Sequence, residues 1–377
     1  MNLTKYKLGD LIVQRREKNN NYDVPIRGVS KEGFIPAKQK DADTSIYNVF
    51  YKYDFVFNPA RMELNSIALN LEYDKALCSS LYEVFYVKDE SIVLPEFLNL
   101  HIKRDEFARH CDYIGLGSAR EYCRLANIAE FDIELPPIEV QEGIVEADRL
   151  IKKRIRLNNQ MIQHLEATAQ ALYRKTFVEN IDKENLPEGW RMGTIGEFGV
   201  VITGKTPSSD NPEDFGNDMP FVTPGDFGKY HKFAIGAERE LSEIGVKRLN
   251  GKVLTKGSVI VTCIGSDMGK VTIASEECIT NQQMNSIIVN RREYSDYLFY
   301  VLSFMSKELR AMALGSSTMP LLNKSDFERI GVIFPPNDLL VKFSQLLNTC
   351  NETTILKQKE NIKLTELQSL LLAKMGQ

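Results

Sequence analysis

The chain has 377 residues, 43% of them hydrophobic and 26% charged, with a formal net charge of −4, which is normal for a folded soluble protein with room for two domains. The acidic balance does not advertise nucleic acid, yet it does not exclude it, because phosphate contact depends on where basic groups cluster rather than on their sum. A polar start, MNLTKYKLGD, and the lack of any long apolar window point to a cytoplasmic protein without a membrane span or signal peptide. The cysteines (Cys78, Cys111, Cys123, Cys263, Cys278, Cys350) are scattered, with no CxxC pair and no metal-ligand spacing among the histidines. They read as reduced, mostly buried thiols, and no metal is expected.

In chain order, Leu8, Gly9, Asp10 and Leu11 form a turn into a short segment. Tyr47 to Phe57, YNVFYKYDFVF, is dense in aromatic and β-branched residues and reads as strand; without an interleaved basic alternation it suits sheet core better than a base-stacking platform. Asn58 to Ser66, NPARMELNS, is a polar turn ending that strand, with Arg61 and two amides free to project. Ser79 to Val87 reads as another strand and Pro95 to Arg109 as an amphipathic helix, after which comes the loop Gly115, Leu116, Gly117, Ser118. Lys103, Arg104, Arg109, Arg120 and Arg124 surround that loop.

Pro136 and Pro137 then open the stretch around which the chain is organised. Ile144, Ile151, Ile155, Ile162, Leu165, Ala169 and Leu172 recur at steps of three, four or seven, an apolar seam on a long helix. About forty residues make a rod roughly 60 Å long. So narrow a stripe needs a partner helix. Phe334, Pro335 and Pro336 open a second such segment, in which Phe343, Leu347, Leu364 and Leu371 fall in the register of Ile144, Asp148, Leu165 and Leu172. Thr354, Asn361 and Gln368 make this second seam the noisier. Arg149, Lys152, Lys153, Arg154 and Arg156 crowd two turns of the first rod, most simply as a solvated face.

Between the rods the order of elements repeats. After the polar linker Asp182 to Gly189, Ile195, Gly196, Glu197 and Phe198 echo Leu8 to Leu11. Thr255 to Gly265 takes the place of the Asp54 strand and Thr280 to Val289 that of Ser79 to Val87; Tyr297 and Leu298 open a helix as Phe97 and Leu98 do, and Gly315, Ser316 and Ser317 match Gly117 and Ser118. Duplicated frames with different loops suit a protein that reads two different things.

Gly199 to Thr206 satisfies the phosphate-loop expression GxxxxGK[ST], but four β-branched or apolar residues fill the loop, and Pro207, Asn211 and Pro212 follow where a helix should start. GKTPSS is better read as a polar loop after a strand, with Lys205, Thr206 and Ser208 exposed. No GxSxG elbow, HExxH or dinucleotide fingerprint is present, and Asn58, Pro59 and Ala60 match only a fragment of the NPP[FY] loop of amino-methyltransferases. The chain is expected to perform no chemistry itself.

IELPPIEVQEGIVEADRLI and VIFPPNDLLVKFSQLL at the rod starts, AQALYRKTF at the end of the first, LPEGWRMGTIGEF, GKTPSSDNPEDFGNDMPFVTPGDF and KGSVIVTCIGSDMGKVTI together make the chain resemble the specificity subunit of type I restriction-modification systems, over essentially its whole length. The first domain departs in having VQRREKNNNYDVP in place of a GKTPS-like opening. The resemblance implies an α+β protein: two similar target-recognition domains, each a twisted, mainly antiparallel sheet with helices, separated by two long antiparallel helices that form a coiled coil about a pseudo-twofold axis. The expected division is residues 1–135 (first domain), 136–180 (first long helix), 181–334 (second domain) and 335–377 (second long helix).

It further implies that each domain reads one half of a split target in double-stranded DNA, with Lys and Arg on phosphates and polar loop side chains on base edges. Two modification (methyltransferase) subunits, binding S-adenosylmethionine and methylating adenine, and restriction subunits using ATP and magnesium are the expected partners; no cofactor is expected on this chain. The residues proposed for DNA contact are Lys205, Thr206, Ser208, Thr223, Ser266, Lys270, Gln282, Gln283, Ser316 and Ser317 in the second domain, and Arg61, Asn65, Ser118 and Arg120 in the first. Two alternatives stay open at this point: a stand-alone DNA-binding regulator, against which stand the acidic charge and the lack of a helix-turn-helix signal, and a phosphate-loop NTPase with a coiled-coil stalk.

Overall fold

The computed structural model describes residues 3–37, 43–115, 122–265, 268–313 and 321–375. The chain folds as two units, residues 1–154 with 363–377 and residues 155–362. In the first, Thr4–Lys7 pairs antiparallel with Asp132–Leu135, and a one-turn helix, Leu8–Leu11, leads into a four-stranded antiparallel sheet. Its spatial order is Ile12–Arg15, Glu83–Val87, Phe55–Phe57, Ile67–Leu69. Phe55, Phe57, Phe85 and Phe97 fill its core, with Phe55 stacked 4.8 Å from Phe85. The helices Pro95–Ile102, Asp105–Gly115 and Leu125–Ile128 follow.

Two boundaries differ from the sequence reading. Tyr47 to Phe57 is two strands, Asn48–Tyr51 and Phe55–Phe57, in separate sheets; Tyr53 adopts φ 67° at the break, and Asp54 caps the turn by accepting from the Tyr51 amide at 2.7 Å. The single helix expected from Pro95 to Arg109 stops at Ile102 and restarts at Asp105. At the break Lys103 turns its ammonium onto the carbonyls of Ile67 (2.9 Å) and Lys31 (3.3 Å).

The second unit repeats this plan. Arg191–Thr194 pairs with Gly331–Phe334, a 3-10 turn at Ile195–Glu197 follows, and the sheet runs Gly199–Thr203, Met284–Val289, Val259–Thr262, Val271–Ala274, with Phe233–Ala234 added in parallel at the edge. Tyr294–Phe304, Ser306–Ala313 and Lys324–Glu328 succeed it. The duplication reaches single hydrogen bonds. The Leu8 amide donates to the Phe131 carbonyl (2.9 Å) as Ile195 does to Ile330 (3.1 Å). Lys88 donates to Leu11 (2.8 Å) as Asn290 does to Phe198 (2.9 Å), and Cys123 to Pro59 (3.0 Å) as Leu322 does to Cys263 (3.0 Å). Left-handed residues coincide too: Tyr53 (φ 67°) and Asn65 (φ 50°) occupy the turns that Gly257 (φ 92°) and Gly269 (φ 84°) occupy in the second unit.

The long helices are Ile138–Phe177 and Asn337–Lys374. Within the first unit Gln368 donates to Asp148 at 2.7 Å, and Val145, Leu372 and Met375 join the sheet's core. Within the second, Asn158 donates to Asn361 (2.9 Å), Asn361 donates to Asn159 (2.7 Å), and Phe177 packs edge-on against Phe343 at 4.9 Å. Partners rise along one helix as they fall along the other, so the pair is antiparallel. Of the seam, Ile151, Ile162, Phe343 and Leu347 are buried, while Ile144, Ile155, Leu165, Leu172, Leu364 and Leu371 are half-buried. Thr354 is buried, and Asn361 and Gln368 bond across the pair, so the polar residues that made the second seam look irregular belong to it. In the second unit, buried Lys232 donates to Asp296 at 2.5 Å and to Asn351 at 2.9 Å, joining the sheet's edge loop to the second long helix.

Candidate nucleic-acid interface

Antiparallel pairing decides where the loops of the second unit gather. The carboxyl ends of Gly199–Thr203 and Val259–Thr262 and the amino ends of Met284–Val289 and Val271–Ala274 fall at one end of the sheet. The loops there begin at Gly204, Cys263 and Asn281. Gly204 is required by close approach, since a Cβ there would lie 2.2 Å from the Asn281 carbonyl oxygen and 2.3 Å from that of Thr280. Two loops are thereby stapled together: the Gly204 amide donates to the Met284 carbonyl (3.2 Å), that of Lys205 to the Thr280 carbonyl (2.9 Å), and the Thr206 hydroxyl to the Gln282 side-chain oxygen Oε1. The Gly204 and Lys205 amides, which a phosphate loop would offer to an anion, are committed to protein, and no α-helix opens at Thr206, which argues against the nucleotide-binding alternative.

Lys205, Thr206, Gln282 and Gln283 thus share one edge. Lys205 and Gln282 are exposed, Thr206 and Gln283 half-buried. Lys270, also exposed, sits on the adjoining hairpin, whose Cys263 amide donates to the Gln283 carbonyl at 2.8 Å. Thr223 and Ser208 are turned to local structure: Thr223 donates its hydroxyl to Asp226 (2.8 Å), and Ser208 bonds to Asp210 (3.3 Å). Ser118, Arg120, Ser266, Ser316 and Ser317 lie outside the described residues. The Leu322–Cys263 bond does bring the chain just after residues 314–320 to the same end of the sheet.

In the first unit the equivalent end carries Asn58 to Ser66, now seen as a 3-10 turn, Pro59–Leu64. Arg61 is exposed with no ion-pair partner among the described residues. The amides are not free to project. Asn58 accepts from the Ala60 amide (3.1 Å), and Asn65, half-buried in its left-handed turn, donates to the Ile102 carbonyl (3.3 Å). An isolated sequence could not show that Asn65 supplies a turn. A groove of about 1160 Å³ opens beside it, with Arg27, Lys31, Arg61 and Lys103 among the basic residues along its wall and Leu81 and Tyr122 among the exposed apolar ones. Burial holds the Lys103 ammonium below the usual lysine range.

Two members of the basic cluster expected near Gly115 are paired with carboxylates. Arg104 pairs with Glu106 (2.8 Å) and Arg124 with Glu83 (3.1 Å). On the first long helix Arg149 meets Glu146 (3.0 Å) and Lys152 meets Asp148 (2.7 Å). Cys78, Cys263 and Cys278 are buried; burial pushes the last two thiols up to about 12, so neither is a ready nucleophile. Among the described residues no three His, Cys, Asp or Glu side chains could hold a metal ion, and no helix is long and apolar enough to cross a membrane. The gathered groups are hydrogen-bond donors and acceptors on loops bonded to one another, suited to recognition.

Comparison with known proteins agrees with this geometry. Residues 3–167 and 187–366 each match the type I restriction modification DNA specificity domain. The chain is 26% identical over 356 residues to the type I restriction enzyme HindI specificity subunit of Haemophilus influenzae, covering 76% of this chain and 77% of that protein. It is 30% identical over 190 residues to the MjaIX specificity subunit of Methanocaldococcus jannaschii, covering 50% of this chain and 44% of that one. The crystal structure of a type I restriction-modification S subunit from M. genitalium shares the fold, with a TM-score of 0.65 at 14% identity over 99% of this chain and 96% of that one. With the specificity domain present twice, on one duplicated frame, the chain belongs to the family of type I restriction-modification specificity subunits.

Proposed function

We propose that each unit reads one half of a split target in double-stranded DNA, and that this chain leaves chemistry to partners. On this reading two modification subunits bring S-adenosylmethionine and methylate adenine in each half-site, and restriction subunits with ATP and magnesium join them. The observation that carries the proposal is the gathering of Lys205, Thr206, Gln282 and Gln283 at one sheet end of a frame whose equivalent end in the first unit presents Arg61 and Leu81. One scaffold with different side chains at matching places suits two different words. Exposed lysines and Arg61 would hold phosphates, and the amides would meet base edges in the major groove. A mismatch typically costs about 1–3 kcal/mol, so two modest half-sites add their discrimination.

The test is methylation of a randomised split-target library by the chain with its modification subunits. Replacing Lys205 and Gln282 together by alanine should relax the half read by the second unit and leave the other half intact. Unchanged preference in both halves would refute the assignment of these residues. A full footprint given by the chain alone, without modification subunits, would favour a stand-alone regulator.

A further inference from the structure

The orientation of the amides at this edge says what kind of base they can read. The Gln283 backbone N–H can only donate, and it donates to the Asn281 side-chain oxygen at 3.0 Å. That fixes the Asn281 amide, whose nitrogen then faces Gln283 and donates to its Oε1, also at 3.0 Å. The Gln283 oxygen is thus turned inward and its Nε2 outward. Gln282 is held in the same sense, its Oε1 accepting from the Thr206 hydroxyl. Lys205, stapled alongside through the Thr280 carbonyl, can only donate. Three neighbouring side chains therefore present N–H groups, and the two glutamines turn their oxygens to the protein.

A glutamine reads adenine through both ends of its amide, the oxygen taking the N6 hydrogen and the nitrogen donating to N7. With the oxygen turned back onto Asn281, the amide offers a base its nitrogen alone, and that two-ended pairing is lost. Guanine instead offers two adjacent acceptors, N7 and O6, where thymine offers O4 alone beside its methyl group and cytosine only a donor. Resting on the function proposed above, we infer that the second unit reads guanine, with Gln283 donating to its major-groove edge, Gln282 and Lys205 as further donors, and Asn281 as the positioning residue that denies adenine.

The experiment is methylation by the chain with its modification subunits, using S-adenosylmethionine and duplexes randomised in both halves. The wild type should require guanine at one position or more of the half read by the second unit. Gln283→Glu, which replaces donors by acceptors at equal size, should lose that preference by about tenfold to a hundredfold at one position, with gain for bases that present a donor. Gln283→Met should lose it without any gain, and Asn281→Leu should raise acceptance of adenine there. The unaltered half-site reports that each variant is folded. The inference is overturned by a wild-type half-site without a required guanine, or by variants whose base preferences do not change. It is equally overturned if Gln283→Glu weakens methylation evenly over all sequences with a shallower salt dependence, the mark of a phosphate contact. A wild-type complex with no split target at all would overturn the function itself, and this inference with it.

Discussion

Gly204 and His101 show how single positions carry weight that their surroundings alone reveal. Gly204 lets two loops touch, and its Cβ would meet two backbone carbonyls that cannot move aside cheaply. Gly204→Ala should cost about 1–3 kcal/mol of local packing. In methylation assays it should blunt discrimination in the half-site read by the second unit, with the other half unchanged. His101 is buried, its Nε2 has no partner among the described residues, and desolvation, then the nearby Arg104, lowers its pKa from 6.5 to about 4. Between those values the unfolded chain binds a proton that the folded unit refuses, so stability falls as pH drops from 6.5 to 4. The loss should total about 3 kcal/mol. Urea unfolding of the first unit from pH 7 to 4.5 should show that slope, and His101→Leu should flatten it. Neither role is legible in sequence: GKTPSS reads as a polar loop, but the neighbours that demand its glycine, the carbonyls of Thr280 and Asn281, are distant along the chain.

At the scale of elements, the long helices were legible because their apolar steps of three, four and seven are a local property. What sequence left unclear was the polar content of the seam. Asn158 is buried and bonds to Asn361, which bonds on to Asn159, so these amides complement one another within the second unit. Buried amides of this kind fix helix register at some expense of stability. Asn361→Leu alone should destabilise by about 1–3 kcal/mol, measured by thermal or urea unfolding, since Asn158 loses its bond. The pair Asn158→Leu and Asn361→Leu should recover much of that loss or exceed wild-type stability. Strand boundaries were less legible than the helices: the break at Tyr53 needs a left-handed residue where the sequence shows only an aromatic run.

For the whole molecule, the duplicated order of elements was readable from the chain, because turns and apolar segments recur in one sequence even where their loops differ. The candidate contacts were only partly readable. Lys205, Thr206, Gln282 and Gln283 do come together, whereas Asn65 and Thr223 serve turns of their own. Polar residues next to glycines look alike in sequence whether they cap a turn or face outward, and tertiary hydrogen bonding decides between them. The central claim is that two copies of one frame read separated halves of a single DNA target. Single-molecule methylome sequencing of cells with and without this chain, its modification subunit retained, tests it most directly. The expected result is one split adenine-methylation motif that disappears with the chain; an unchanged methylome, or loss of a single uninterrupted motif, would contradict the account.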